Sequence, residues 1–190
     1  TDQLIDEYTE AIRINPADPG AYNTRGMRYA EKGDYDRAIA DFTEAIRIDP
    51  NAAIALNNRG NAYGKTGEPD KAIADFSEAI RIDPTYSDAY FNRGLTFQES
   101  GDLDKAIADY TEAIQINPEH ADAYCNRGNA YDTQGEHEKA VADLTESIRL
   151  RPGDAKLHHR GGVANPPRRC IDLAIADFTE AIRLDSNYAN

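Results

Sequence analysis

The sequence is poor in several residue types, and each shortage narrows what the protein can be. It has no tryptophan, one methionine and two cysteines in 190 residues. It has no apolar run approaching the roughly 18 residues that a membrane-spanning helix needs, so we expect no membrane insertion. Cys125 and Cys170 form no CxxC pair and belong to no cluster of metal-ligand residues. They are typical of free thiols in a reducing compartment, which favours a cytoplasmic location.

Basic residues are also scarce. Lysine and arginine together number 21 against 34 aspartates and glutamates, which gives a formal net charge of −13. Phosphate binding depends on a basic surface, so the composition argues against nucleic acid and against an anionic membrane surface as partners. The acidic excess lies in residues 1–148, whereas residues 149–190 carry a slight basic excess. We interpret the acidic part mainly as a solvated surface that aids solubility.

What the sequence has in abundance is repetition with a period of 34 residues. The same residue types recur at this interval: Pro16, Pro50, Pro84, Pro118 and Pro152; Ala38, Ala72, Ala106, Ala140 and Ala174; and Asp41, Asp75, Asp109, Asp143 and Asp177. Each unit carries two amphipathic helical patterns, so the period predicts a solenoid of helix–turn–helix units. A solenoid has no single enclosed core to hold a catalytic pocket, but it has a long surface. Binding is therefore the first functional hypothesis.

The first full unit shows the local signals. Asp18 followed by Pro19 is typical of a helix start, because aspartate caps free amides and proline suits the first helical position. Gly33 ends this first helix, which we call helix A of the unit. A second pattern, helix B, covers about residues 36–48, and the proline at Pro50 stops it.

The small residues of the unit predict close packing of its two helices. Gly26 is expected to face Ala38 and Ala45, so that the two backbones can approach each other. Tyr29 and Phe42 are expected to fill the remaining space. One helix pair cannot bury its own apolar stripe, so it must stack on the next pair.

These positions resemble the consensus of the tetratricopeptide repeat (TPR) family. The resemblance rests on Tyr22, Gly26, Tyr29, Ala38, Phe42, Ala45 and Pro50, which return as Leu56, Gly60, Tyr63, Ala72, Phe76, Ala79 and Pro84, as Tyr90, Gly94, Phe97, Ala106, Tyr110, Ala113 and Pro118, and as Tyr124, Gly128, Tyr131, Ala140, Leu144, Ser147 and Pro152. The resemblance implies an all-α fold, an α-α superhelix in which antiparallel helix pairs form a right-handed solenoid. It also implies protein–protein interaction, although TPR arrays bind many unrelated proteins.

The period predicts a single TPR array over residues 1–190. Its segments are a half repeat with helix B only (1–16), full repeats at 17–50, 51–84, 85–118 and 119–152, a degenerate fifth repeat (153–186) and a tail (187–190). In the fifth repeat, Asn165–Cys170 replaces the helix end and the turn glycine, and its two prolines cannot lie inside a helix without breaking it. Drift and a functional insertion both explain this segment.

Both ends of the array are expected to expose apolar stacking surface. The chain opens on a helix B and closes on another at residues 174–184, without a polar capping helix. Either the chain is a fragment of a longer array, or another copy of the chain covers its ends. The charge difference between the two parts of the sequence is compatible with head-to-tail association.

The resemblance implies that helix A residues at the second, fifth, sixth and ninth positions line a concave groove and contact a ligand. Counted from Pro19 as the first position, the candidate peptide-binding residues are Asn23, Asn57, Asn58, Asn61, Phe91, Asn92, Leu95, Asn126 and Asn129. An asparagine amide carries a donor and an acceptor, so it can pair with the N–H and C=O groups of a peptide regardless of the peptide's sequence. The alternative is that Asn58, Asn92 and Asn126 are exposed residues copied with the repeat by duplication.

A second candidate site resembles the TPR site that grips a C-terminal carboxylate. Asn126, Lys156 and Arg160 match three of its five groups. Lys156 and Arg160 are four residues apart, so they share a helix face and could bind one anion. Phe91 and Leu95 occupy the places of the other two groups, a lysine and an asparagine. The sequence therefore predicts only a partial anion site.

Arginines also repeat, each directly before the helix A glycine, as Arg25, Arg59, Arg93 and Arg127. They form either an anion-binding row or structural pairs with the aspartates of helix B. We favour the structural pairs, which order the packed helices at modest energy.

No pattern predicts a catalytic site, a metal site or a cofactor. The adjacent His158 and His159 point to different faces of a helix, which makes them a poor metal pair. We therefore expect a protein-binding scaffold that is not an enzyme. The expected ligand is an extended peptide held in the groove by Asn58, Asn92 and Asn126. The alternative is a structural TPR protein that self-associates through its uncapped ends.

Overall fold

The computed structural model describes residues 2–151, and within this range the chain forms nine helices and no strand. The helices are α1 Asp2–Ile14, α2 Pro19–Glu31, α3 Tyr35–Ile48, α4 Ala53–Lys65, α5 Pro69–Ile82, α6 Ser87–Glu99, α7 Leu103–Ile116, α8 Ala121–Thr133 and α9 His137–Leu150. The first is the helix B of the half repeat, and helices A and B then alternate. The prediction of an all-α chain of helix pairs is confirmed. None of these nine helices is long and apolar enough to cross a membrane.

The first full repeat begins where its sequence predicts. Pro19 is the first residue of α2, and Asp18 caps the helix. The Asp18 Oδ1 atom accepts hydrogen bonds from the amides of Gly20 at 2.9 Å and Ala21 at 3.3 Å. A cap of this kind stabilises a helix by about 0.5–2 kcal/mol, and it fixes the point at which the chain enters α2.

A glycine turn joins the two helices of each repeat. After α2, the amide of Gly33 donates to the Ala30 carbonyl and the amide of Asp34 donates to the Tyr29 carbonyl, both at 2.9 Å. This pair of bonds satisfies carbonyl groups that the helix end would leave free. The turn needs a residue with positive φ, from 78° to 83°, at four equivalent positions: Gly33, Gly67, Gly101 and Gly135. A residue with a Cβ is strained at such angles, which explains a glycine in every described turn of this kind.

Within the first full repeat, the helix A glycine lies against an aromatic ring of helix B. A Cβ atom at Gly26 would lie 2.7 Å from the Phe42 ring and 3.2 Å from the Ala38 carbonyl oxygen. The ring is only 1% exposed. The expected close approach of the two helices is therefore present, but the nearest neighbour of Gly26 is the Phe42 ring rather than Ala38 and Ala45.

The chain divides into two compact units, Thr1–Thr96 and Phe97–Asn190. In the first unit, α1 packs on α2, α2 on α3, α3 on α4 and α4 on α5. Its core includes one cluster around Phe42 and another around Leu56. In the second unit, α7 packs on α8 and α8 on α9, around a cluster that contains Leu144. Each unit thus buries its apolar side chains between consecutive helices, as the repeat predicts.

The helix α1 differs from the other eight described helices because none of its residues is buried. Leu4 is 38% exposed and Ile14 is 71% exposed. The apolar surface expected at this helix is therefore present. The other predicted end, residues 174–184, and the Asn165–Cys170 segment lie outside the described residues.

Candidate peptide-binding groove

Asparagines on the A helices form hydrogen bonds with each other across neighbouring repeats. Asn58 of α4 donates from Nδ2 to the Oδ1 atom of Asn23 in α2 at 3.0 Å. Asn92 of α6 donates in the same way to Asn57 of α4, also at 3.0 Å. In each pair, the sixth residue of one helix A donates to the fifth residue of the helix A before it. We call these pairs amide bridges, and the surface that carries them, formed by α2, α4 and residues 87–96, the A-helix face.

The equivalent asparagine of α8, in the second unit, makes a different hydrogen bond. Asn126 donates from Nδ2 to the backbone carbonyl of Asp122, one turn earlier in its own helix, at 2.9 Å. The fifth position of the preceding repeat holds Phe91, whose side chain has no hydrogen-bond acceptor. The predicted row of three amides therefore consists of two bridged amides and one that bonds to its own helix.

The predicted ligand residues differ in how much of their side chain they expose. Asn61 is exposed, so it presents a whole amide to solvent. Asn57 is only 5% exposed, and it uses its Oδ1 atom in a bridge. Its side chain therefore offers little surface to a ligand. The other candidates of the described helices are partly buried: Asn23, Asn58, Phe91, Asn92, Leu95, Asn126 and Asn129.

A cavity of about 310 Å³ lies beside the first amide bridge. We call it the Lys65 cavity, and it is lined by Met27, Ala30, Glu31, Tyr35, Phe42, Asn58, Asn61, Ala62 and Lys65. Most of these side chains are apolar or aromatic, and two of them, Asn58 and Asn61, are predicted ligand residues. The cavity therefore has the exposed amide of Asn61 and the bridged amide of Asn58 beside its apolar residues.

A second cavity, of about 510 Å³, lies where α2 and α4 begin and α3 and α5 end. We call it the Ile54 cavity, and it is lined by Pro19, Gly20, Asn23, Asp49, Asn51, Ala52, Ala53, Ile54, Ala55, Ile82 and Asp83. Asn23 lines this cavity and Asn58 lines the Lys65 cavity, so the bridge between them contributes one residue to each. The A-helix face thus combines two hollows with amides whose orientation is fixed.

The arginine row lies between helices, as the structural interpretation predicts. Arg59 of α4 donates from Nε and Nη2 to the two carboxylate oxygens of Asp75 in α5, each at 2.8 Å. It also donates from Nη1 to the Thr43 hydroxyl in α3 at 3.1 Å. The hydrogen bonds to Asp75 raise the pKa of the Arg59 guanidinium. Arg25 and Arg127 make the same set of bonds. Each guanidinium is therefore occupied within the protein and links three helices.

Cys125 takes the fifth position of α8, where the first two A helices carry asparagine. It is 8% exposed, and burial raises the pKa of its thiol. The thiol packs with Leu144 in the core of the second unit. Cys125 is therefore a core residue and does not extend the row of amides.

The Ile54 cavity and the hydroxyl partners of the arginines were not predicted from the sequence, although it contains signals for both. For the cavity, the signal is Ile54, the only large apolar residue at the second position of helix A in the four full repeats; the other three have Gly20, Asp88 and Asp122. The hydroxyl partners of the arginines also follow the 34-residue period: Thr9, Thr43, Ser77 and Thr111. Of the predicted anion site, only Asn126 belongs to the described residues, and Lys156 and Arg160 lie outside them.

Consecutive helix pairs with side chains displayed along their A helices define a helical repeat protein of the solenoid class. Models of the tetratricopeptide repeat family match residues 26–67 and 97–135, residues 53–86 and 121–154, and residues 76–108. The chain belongs to the tetratricopeptide repeat family.

Solved structures with the same fold include other repeat proteins. A crystal structure of MamA is 30% identical, with 86% of this chain and 96% of that chain covered and a TM-score of 0.66. A thermophilic TPR protein of Thermus thermophilus, TTC0263, is 20% identical, with coverages of 82% and 86% and a TM-score of 0.69. The first TPR of Spaghetti (RPAP3), bound to an HSP90 peptide, is 24% identical, with coverages of 62% and 93% and a TM-score of 0.60. No curated protein sequence matches the chain. The repeats support a protein-interaction scaffold, and TPR proteins are generally scaffolds rather than enzymes.

Proposed function

We propose that the chain binds an extended segment of a partner protein along the A-helix face. The observation that carries the proposal is the first amide bridge, between Asn58 and Asn23. Asn58 lines the Lys65 cavity and Asn23 lines the Ile54 cavity. Asn58 uses its Nδ2 atom in the bridge, and its Oδ1 atom has no hydrogen-bond partner among residues 2–151. Asn61, one turn further along α4, is exposed, and its amide makes no hydrogen bond within the same range.

The chemistry of these amides suits a peptide backbone. An extended peptide has free N–H and C=O groups along its length, and its side chains alternate between two sides. The Asn61 amide can donate to a carbonyl and accept from an N–H, while the Asn58 Oδ1 atom can accept from a second N–H. Because the bridge and the surrounding helices already hold Asn58 in place, little side-chain freedom is lost when it binds. Side chains of the segment can then enter the two cavities.

A known complex of this fold supports a peptide as the class of ligand. The first TPR of Spaghetti is bound to an HSP90 peptide, and this chain shares its fold. The likeness is one of fold, so it does not identify the partner of this chain. Self-association has the exposed Leu4 and Ile14 of α1 in its favour, but exposed apolar side chains alone do not define a partner surface, and we do not propose it.

The proposal is tested by the amide of Asn61. Peptides selected from a phage-displayed library of random dodecapeptides are measured against the protein by fluorescence anisotropy. We expect Asn61→Ala to weaken the selected peptides about three- to tenfold, the usual effect of losing one hydrogen bond. The control is Gln115→Ala on α7, which removes an exposed amide from a helix B and should leave the affinity unchanged. Selected peptides that bind both variants as tightly as the unmodified protein would contradict the proposal.

A further inference from the structure

The Ile54 cavity combines apolar walls with two carboxylates. Its lining includes the apolar residues Pro19, Ile54 and Ile82 and the acidic residues Asp49 and Asp83, and no basic residue among residues 2–151 is part of it. Ile54 is 59% exposed, which is unusual for a large apolar side chain in this structure. A side chain with an apolar stem and a cationic head matches this combination, because lysine and arginine lay their methylene groups on apolar surface and keep the charge at a polar site.

Neither carboxylate is neutralised by another described residue. Asp49 Oδ1 accepts the amide of Asn51 at 3.0 Å. Asp83 Oδ1 accepts the hydroxyl and the amide of Thr85 at 2.7 Å and 2.9 Å. These bonds lower the pKa of Asp83, so it is charged at neutral pH. By contrast, Glu78 in the helix that ends at this cavity forms an ion pair with Arg81 at 2.7 Å.

The turn does not require the negative charge at these two positions. Asn117 occupies the same place after α7: its amide donates to the Ala113 carbonyl at 2.9 Å, and its Oδ1 atom accepts the amide of Glu119 at 3.1 Å. The amides of Asp49 and Asp83 donate to the equivalent carbonyls at 2.9 Å and 2.8 Å. A neutral asparagine therefore makes the same turn, and the charge at Asp49 and Asp83 is available for another purpose.

The partial charges of the helix ends at the cavity do not change the sign of its electrostatic potential. Two helices, α2 and α4, begin there, and each contributes about half a positive charge. Two others, α3 and α5, end there, and each contributes about half a negative charge. These partial charges offset each other, so the two carboxylates decide the potential. The charges at the cavity therefore favour a cation over an anion.

We propose that the Ile54 cavity binds the side chain of an arginine or lysine in the partner segment. The stem of this side chain packs on Ile54 and Ile82, and its head is held by Asp49 and Asp83. The inference rests on the proposed function, because the basic residue belongs to the segment that lies on the A-helix face. It adds a sequence requirement that the amides alone do not impose.

The test uses a hexapeptide with blocked ends and one central arginine, together with the same peptide carrying citrulline, which keeps the shape and loses the charge. Binding is followed by the amide resonances of the ¹⁵N-labelled protein. We expect the arginine peptide to shift resonances of residues 49–55 and 82–83 and to bind about three- to tenfold more tightly than the citrulline peptide, the range of two partly exposed ion pairs. Raising the salt concentration should reduce this preference.

Two double variants, each of which removes two negative charges, distinguish an effect of the cavity from an effect of the protein's net charge. Asp49→Asn with Asp83→Asn should abolish the preference for arginine, and thermal unfolding should show that the variant is folded. Glu44→Gln with Glu78→Gln removes two carboxylates from the same two B helices, α3 and α5, and should keep the preference.

The outcomes distinguish this inference from the proposed function. Equal affinity for the two peptides, absence of shifts at residues 49–55, or a preference that survives in the Asp49/Asp83 variant would overturn the inference. If Asn58 and Asn61 still shift in those cases, the proposed function stands. If residues 49–55 shift with the arginine preference but Asn58 and Asn61 do not, the cavity inference holds and the proposed use of the amides is wrong.

Discussion

Two regions of the molecule follow the 34-residue period. One is the interface between the two helices of a repeat, and the other is the outer surface of the A helices, which we call the A-helix surface. Only the interface is uniform. At the interface, Arg25, Arg59 and Arg127 each bind the aspartate 16 residues later and the threonine 16 residues earlier. On the A-helix surface, Asn58 bonds to the neighbouring helix A, whereas Asn126 bonds to its own helix. The same residue at the same position thus has a different role.

The difference follows from what each surface must do. The described pairs α2 with α3, α4 with α5 and α8 with α9 bury equivalent interfaces, so a substitution there removes a bond that the fold uses. The A helices are partly open to solvent, and in the first unit the sixth residues Asn58 and Asn92 bond to an asparagine at the fifth position of the preceding helix A. That position holds Asn23, Asn57, Phe91 and Cys125. Variation at the fifth position therefore changes the side chains that the A helices display without changing the helix pairs.

The largest expected effect comes from breaking the uniform interface. Arg59→Ala leaves the carboxylate of Asp75, which is 7% exposed, without its cation. We expect the free energy of unfolding to fall by about 3 kcal/mol, at the lower end of the range for broken buried pairs because Arg59 is partly exposed. Urea denaturation followed by circular dichroism measures the change.

The matched control for this variant is Arg81→Ala in α5. Arg81 pairs with Glu78 at 2.7 Å, but its side chain is 67% exposed. Loss of such a surface pair should change the free energy of unfolding by less than about 1 kcal/mol. Similar losses for Arg59→Ala and Arg81→Ala would show that the buried row is not what stabilises the helix pairs.

A smaller effect is expected from the helix contact itself, tested by two glycines of α4. At Gly60, an added Cβ atom would lie 2.7 Å from the Phe76 ring, whereas at Gly64 nothing lies within 4 Å. Gly60→Ala should therefore destabilise the protein by about 1–3 kcal/mol through overpacking. Gly64→Ala should stabilise it by up to about 1 kcal/mol, because alanine favours the helix. Thermal unfolding of the two variants measures both changes, and a stabilising Gly60→Ala would contradict the packing.

The helices and their turns could be predicted from the sequence because they depend on local signals. Asp18 and Pro19 define the start of α2, and Gly33 supplies the positive φ that its turn requires. The pairing of Arg59 with Asp75 was also predictable, because two opposite charges recur with the period. Each of these features involves one residue type with one structural use.

The A-helix face could be predicted only in part, because its properties depend on pairs of residues from different repeats. The sequence identified Asn58 and Asn92 as equivalent amides, but the bridges also need Asn23 and Asn57 at the fifth position. The Ile54 cavity was not predicted, since its walls come from the ends of four helices. Periodicity shows which positions are equivalent, and it does not show which neighbours face each other.

The smallest expected effect tests the comparison between the two asparagines directly. Asn58→Ala removes an amide bridge at 3.0 Å, and Asn126→Ala removes a bond from a side chain to its own helix at 2.9 Å. Both variants gain about 0.5 kcal/mol from the helix preference of alanine. The bridge contributes about 1 kcal/mol, whereas a bond to the preceding turn of the same helix contributes little. We therefore expect Asn58→Ala to lower the free energy of unfolding by about 0.5 kcal/mol and Asn126→Ala to raise it by a similar amount.

Because the same substitution is made at the same position of helix A, the difference between the two urea midpoints measures the contribution of the bridge. Equal midpoints would mean that the amide bridges order the A-helix face without stabilising it.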